Sequence, residues 1–395
     1  MIDQAIVSGA SFFTTLIIGR YAGPDQLGLY SLGISVVLAL LAVQMSLVTT
    51  PYAVHHHSSG DSARRYLGGT LLMQLAMVGF AIVALVVAAG VMRGSTRVIL
   101  WMLVTVGPLL MVREFARRMA YAQLSVERAL AIDIPVALLQ IVALIVLAMR
   151  GHLRAVTALG ILGIAAAFGA VIWLTGARPH ADFHRDTFAA DTKRHWAFGR
   201  WLAGAQLLGL VSTQGTYWLV NAVLGESATG IYAACLQIVL LSNPFILGIG
   251  NLLTPRAAQT YARGGDKALR RLIGRFSLVI GGVLSAFCIV VAICGDQVVQ
   301  LLYGPEYAGH GLVVALLAIT FLLGAVAMAV HDGLRSLGRT NIEFASMALD
   351  TIITIALGFV GLHWFGLAGL AGASVIGSIA ALGLASVVFL RSGES

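Results

Sequence analysis

Two carboxylates, Asp133 and Asp350, sit well inside stretches of chain that are otherwise apolar. An aspartate at the middle of a membrane-crossing helix costs about 2.5–3.5 kcal/mol on insertion scales, so each needs a cation, water or a proton. Binding H+ or Na+ would make them ion-coupling groups. Pairing with an arginine at a neighbouring helix end, such as Arg113 or Arg335, would make each a structural clamp. Their duplication fits the clamp, because a coupling site can be unique. Both chemistries stay open at this level.

Amides and hydroxyls are the next polar groups in apolar surroundings. Gln206, Thr213, Gln214, Tyr217 and Asn221 fall within about 100° of arc on a helix, and Gln4, Ser8, Ser11 and Thr15 within about 60°. At an offset of 202, Gln4 maps to Gln206, Ser11 to Thr213 and Thr15 to Tyr217, while Ser8 maps to Leu210. Such stripes suit the walls of a water-filled cavity whose ligand presents sugar hydroxyls. They also suit helix packing, where Ser and Thr bond back to their own carbonyls. Arg20, Arg113, Arg117 and Arg200 stand near helix ends. A guanidinium grips phosphate through two parallel hydrogen bonds, so these are candidates for a diphosphate or an acidic sugar. Arg20 is the least expected by topology.

Other suggestive residues point nowhere in particular. His55, His56 and His57 are adjacent, which scatters their rings, and zinc requires convergent ligands. Cys235, Cys288 and Cys294 have no metal-site spacing. No cofactor or metal is expected. Residues 178–196, with His180, His184 and His195, predict a solvated linker, and Arg256 to Arg275 an amphipathic segment at the inner interface.

The elements that must position these groups follow from composition. Of 395 residues, 59% are hydrophobic and 11% charged, against about 25% charged in a soluble domain. An ordinary soluble enzyme is excluded. Apolar runs occur at about 4–19, 28–50, 66–92, 97–114, 121–149, 155–176, 197–222, 228–254, 272–293, 310–331, 342–361 and 366–390. Each is long enough to cross roughly 30 Å of hydrocarbon, which predicts an all-α polytopic membrane protein with twelve transmembrane helices. Of the 25 Lys and Arg, 20 follow even-numbered spans and 5 follow odd-numbered ones. The positive-inside rule then places both termini in the cytoplasm. Anionic lipid accounts for the basic loops, so nucleic acid is not expected as a partner.

The chain reads as a tandem repeat. Gly23-Pro-Asp-Gln-Leu-Gly28-Leu-Tyr30 corresponds to Gly225-Glu-Ser-Ala-Thr-Gly230-Ile-Tyr232, and Thr50-Pro51 to Thr254-Pro255. Gly60-Asp61 corresponds to Gly265-Asp266, Val112-Arg113-Glu114 with Arg117 to Val330-His331-Asp332 with Arg335, and Ala131-Ile132-Asp133 to Ala348-Leu349-Asp350. Six spans per half make the repeats parallel. The expected organisation is an N-terminal six-helix lobe over 1–177, a cytoplasmic inter-lobe linker over 178–196 and a C-terminal six-helix lobe over 197–395, with a cavity between lobes.

The passage from Gly19-Arg20 through Gly23-Pro24, Gly28 and Tyr30-Ser31, with the Arg-rich stretch Arg113 to Asp133, resembles the polysaccharide and O-antigen (Wzx-type) flippases. These belong to the multidrug, oligosaccharidyl-lipid and polysaccharide exporter superfamily. The resemblance implies alternating access and a lipid-linked oligosaccharide as substrate. Undecaprenyl-linked units for O-antigen, capsule or exopolysaccharide would cross the bacterial inner membrane. Membrane lipid, H+ or Na+, and polymerase and chain-length proteins are the partners it suggests. Such flippases usually carry a longer basic leader than Met-Ile-Asp, so the start codon is open. A cation-coupled multidrug exporter is the alternative, but it should place an acid in the outer half of span 1 or in spans 7 and 8. Spans 7 and 8 have none, and span 1 has only Asp3. A membrane-embedded polysaccharide-modifying enzyme is the third reading. The longest outer loop, 294–309, offers Asp296 and Glu306 without a recognisable motif.

Overall fold

A computed structural model describes residues 2–56, 63–123, 125–177 and 185–391, and every regular element among them is helical. They are α1 (Ile2–Gln44), a π-helical turn at Met45–Thr49, α2 (Thr50–His56), α3 (Ala63–Val91), α4 (Gly94–Ala122), α5 (Val126–Met149) and α6 (Ala155–Ala177). Then come α7 (Arg185–Val239), α8 (Asn243–Tyr303), α9 (Gly311–Ser336) and α10 (Thr340–Arg391). His57, Gly60-Asp61, His180 and His184 lie outside the described residues.

Eight stretches of helix among the described residues are long and apolar enough to cross a membrane. Ile6–Val54 is long enough for spans 1 and 2, Leu202–Tyr303 for spans 7, 8 and 9, and Thr340–Arg391 for spans 11 and 12. The other five stretches carry one span each, so the twelve apolar runs all find a helix.

Glycine sets where the long helices turn. Gly23 (φ 84°, ψ 173°) breaks α1 and Gly225 (φ 88°, ψ −172°) breaks α7. Gly265 (φ 61°) breaks α8 and Gly366 (φ 59°) breaks α10. These are left-sided backbone angles that only glycine takes at no steric cost. After Gly366 the chain returns along itself closely: a Cβ on Gly361 would lie 2.7 Å from the Gly369 carbonyl oxygen. Small residues of this kind let membrane helices approach backbone to backbone.

The chain divides into two compact units, Met1–Leu210 and Val211–Ser395. In the first, α4 packs on α3 and α6, and α1 on α5. Phe115, Met119, Val48, Tyr52 and Tyr66 form one of its buried clusters. In the second, α9 packs between α8 and α10, around Leu253, Leu269, Ile273, Val330 and Phe389. Along 256–275 the basic residues Arg256, Arg263, Lys267, Arg271 and Arg275 are exposed while Leu269 and Ile273 are buried, an amphipathic arrangement.

Candidate functional site

The best-defined polar centre lies in the first unit. Asp133, on α5, is fully buried. Arg113, on α4, donates from Nη2 to its Oδ1 at 2.6 Å, and Arg117 Nη1 stands 3.9 Å from Oδ2. One helical turn links these arginines, so α4 presents both to the same carboxylate. Arg117 also donates through Nε (3.0 Å) and Nη2 (2.9 Å) to Glu114, and Arg118 donates through Nε to the same glutamate at 2.8 Å. Three guanidinium groups and two carboxylates thus form one network. Its central pair, Arg113 with the fully buried Asp133, lies within a single unit, as a clamp between α4 and α5 requires.

The second unit repeats half of that arrangement. Asp332 and Arg335 occupy the positions equivalent to Glu114 and Arg117, and they pair with the same i,i+3 spacing: Nη1 to Oδ1 is 3.2 Å. Thr254, of the Thr-Pro landmark, donates to Asp332 Oδ1 at 3.0 Å. Arg335 is drawn away by Glu343 at the start of α10, where Nε donates to Oε2 at 2.7 Å. The position equivalent to Arg113 is His331, whose Nε2 is 2.8 Å from the Ser346 hydroxyl. Asp350 is therefore left without a cation among the described residues. Its Oδ1 accepts from Ser378 at 3.3 Å, and α10 folds so that Gly377 faces it: a Cβ there would lie 2.7 Å from Oδ1 and 2.6 Å from the Thr354 hydroxyl. The Arg335–Asp350 clamp, one of the two chemistries left open by the sequence, is not formed among the described residues. The reason is the exchange of Arg113 for His331 between repeats, together with the competing Glu343.

The stripe residues take separate positions. On α1, Ser8, Ser11 and Arg20 are exposed and Thr15 is half-buried, its hydroxyl donating to the Phe12 carbonyl at 2.8 Å. The side chain of Gln4 lies outside the described residues. On α7, Thr213 and Arg200 are exposed, while Gln206, Gln214, Tyr217 and Asn221 are half-buried. Tyr217 meets Tyr232 edge to face at 5.5 Å between centroids, and Asn221 Oδ1 is buried without a hydrogen-bond donor.

Three further glutamines share the chemistry of Gln206 but belong to neither stripe. Gln44 donates to the Met111 carbonyl at 3.0 Å, and Gln140 to Thr14 at 2.6 Å. Gln74 is buried in α3. Each is an amide set in an apolar run, the signal that could have found it. His195 was also missed. It is fully buried rather than solvated, with Nε2 2.7 Å from the Tyr66 hydroxyl and Nδ1 3.1 Å from the Leu47 carbonyl. No cluster of three or more His, Cys, Asp or Glu among the described residues could hold a metal.

Residues 112–311, half of the chain and including the Arg113–Asp133 centre, match the profile of the polysaccharide biosynthesis protein family. The chain belongs to that family. A curated relative, the amylovoran biosynthesis protein AmsL of Erwinia amylovora, is 26% identical over 190 residues, 47% of each chain. The match thus spans about half the length of that family relative. The solved structure of an inward-facing multidrug resistance MATE transporter of the MOP superfamily aligns with a TM-score of 0.79 at 15% identity, over 98% of this chain and 93% of that one. The lipid II flippase MurJ, in an inward closed conformation, aligns with a TM-score of 0.76 at 12% identity, over 100% and 87%. The chain is therefore a multi-pass membrane protein with the twelve-helix, two-lobe fold of MOP-superfamily transporters and flippases.

Proposed function

We propose that this chain is an alternating-access flippase for undecaprenyl-diphosphate-linked oligosaccharide units at the bacterial inner membrane, supplying O-antigen, capsule or exopolysaccharide synthesis. The observation that carries the reading is membership of a polysaccharide biosynthesis family by a chain that folds as a transporter. Both termini are cytoplasmic in this reading, with lobes over 1–177 and 197–395 joined by 178–196, and the chain works as a transporter, not an enzyme.

The stripe on α7, with Gln206, Thr213, Gln214, Tyr217 and Asn221, offers neutral donors and acceptors to sugar hydroxyls. Its counterpart on α1 is Gln4, Ser11 and Thr15. Arg20 and Arg200, both exposed, are the arginines assigned to the diphosphate in this reading. Arg113 and Arg117 are engaged by Asp133 and Glu114 and serve the lobe's integrity first. Asp350, which has no cation partner among the described residues, is the group for H+ or Na+; Asp133 is structural. Polymerase and chain-length proteins would receive the flipped unit.

Deletion of the gene, in a host without a redundant flippase, tests this reading. Lipid-linked oligosaccharide should accumulate on the cytoplasmic face while surface polymer is lost. Normal pools with normal polymer would sink it. Multidrug export, supported by likeness to the MATE transporter fold, would then take first place.

A further inference from the structure

The first turns of α7 are seated on the first unit by contacts that leave an apolar groove beside them. His195 bridges Tyr66 on α3 and the Leu47 carbonyl in the π-helical turn. Because that carbonyl can only accept, Nδ1 carries the proton, and in the neutral ring Nε2 accepts from Tyr66. Tyr66 in turn stacks on Tyr52 at 5.7 Å with the rings 7° from parallel. One turn after His195, Gly199 comes so near that a Cβ there would be 2.5 Å from the Ser46 carbonyl oxygen. The seat is thus built from a buried side chain and a backbone approach.

Beside it runs an open groove of about 250 Å³, lined by Met73, Ala76, Met77 and Phe80 of α3, by Leu47 and Val48, and by Thr192 and Trp196 of α7. The four α3 residues follow i, i+3, i+4, i+7 spacing, one face of a helix. Only Thr192 among the lining side chains carries a polar group apart from the indole nitrogen of Trp196. Phe80 is 64% and Trp196 57% exposed, so the groove opens outward. Among the described residues, two cations flank the Tyr66 and Thr192 end of these helices. Arg65, next to Tyr66, and Lys193, next to Thr192 and one turn from Trp196, are both exposed. From Arg65 to Phe80 a helix rises about 22 Å, the depth of one leaflet with its headgroups. A tryptophan beside basic residues is what a membrane–water interface selects.

We propose that this groove holds one hydrocarbon chain of an anionic membrane phospholipid, whose phosphate lies over Arg65 and Lys193. The apolar lining takes the chain and the two cations select the headgroup, each worth roughly a fivefold preference for negative charge near the surface. Lipid occupancy would steady the start of α7 on the first unit.

Photolabelling of the full chain in vesicles of phosphatidylethanolamine tests this, with a trace of phosphatidylglycerol bearing a diazirine on its acyl chain. Label should concentrate several-fold at Met73–Phe80 and Trp196 over other exposed apolar segments, such as Leu138–Val146 of α5. It should drop several-fold when the probe carries a zwitterionic headgroup, and also in Ala76→Phe, which fills the groove. Labelling spread evenly over all exposed apolar segments would overturn the proposal, as would equal labelling by both headgroups. Stronger competition by undecaprenyl phosphate than by phosphatidylglycerol would assign the groove to the transported lipid's tail instead, and would equally overturn it. The wild-type labelling pattern decides the matter alone if Ala76→Phe does not fold.

Discussion

Gly23 and Gly225, 202 residues apart in the chain, break α1 and α7 at nearly the same backbone angles, φ 84° and ψ 173° against φ 88° and ψ −172°. Both lie in the extended region at positive φ that is essentially closed to other residues. Each stands at the same point of its repeat, after the first span of its half. The repeat is thus visible in torsion angles as well as in letters. Substituting alanine at either glycine forces a side chain into that region, at a cost of about 1–3 kcal/mol. Gly23→Ala and Gly225→Ala should each lower the melting temperature of the detergent-purified protein. Gly9→Ala, at an open helical position, should leave it unchanged or raise it.

Arg113 pairs with the fully buried Asp133, and breaking a buried pair from one side costs about 3–5 kcal/mol because it strands a charge. Arg113→Ala should therefore destabilise more than Asp133→Asn, since the latter leaves an amide that can still be hydrogen-bonded. The double substitution Arg113→Met with Asp133→Leu should recover most of the loss. A thermal-melt double-mutant cycle measures this, and additive losses would contradict the clamp.

Asp350 should behave differently from its sequence counterpart. With no cation to strand, Asp350→Asn is expected to keep the protein folded and close to wild type in melting temperature. It should nevertheless lose ion-dependent transport, read as accumulation of lipid-linked oligosaccharide in cells. Ser378→Ala, which removes a single 3.3 Å hydrogen bond, should show a smaller defect in the same assay. Unchanged transport in Asp350→Asn would remove it from coupling.

His195→Ala removes the bridge to Tyr66 and Leu47, and Gly199→Ala pushes a methyl group against the Ser46 carbonyl. At about 0.5–1.5 kcal/mol net for each hydrogen bond, the histidine change should loosen the start of α7 without unfolding the lobe. Trypsin cleavage after Lys193 should become several-fold faster in both variants. His195→Gln, which keeps a donor and an acceptor, should fall between them and the wild type.

Much of the membrane architecture is legible without coordinates. Hydropathy is local and accumulates over a window of about 20 residues, so runs such as 97–114 and 310–331 declare themselves one at a time. The break glycines were legible for a related reason: Gly23 and Gly225 sit in matching turns. The candidate polar residues were less so. Gln44 and Gln140 carry the same signal as Gln206, yet their partners, the Met111 carbonyl and Thr14, lie 67 and 126 residues away. His195 looked like linker because its neighbours are charged, and only its docking on Leu47 and Tyr66 buries it.

What the sequence by itself determined was an all-helical membrane chain of twelve spans, doubled with a period near 200 residues, because span length and repeat spacing depend only on order along the chain. What the tertiary structure decided was which polar groups meet. Asp133 and Asp350 are equivalent in the repeat, but one exchange, Arg113 for His331, and the competing Glu343 give the first an arginine and the second a serine. Partner choice depends on how a helix face is turned toward its neighbour, and a shift of a single residue turns that face by about 100°.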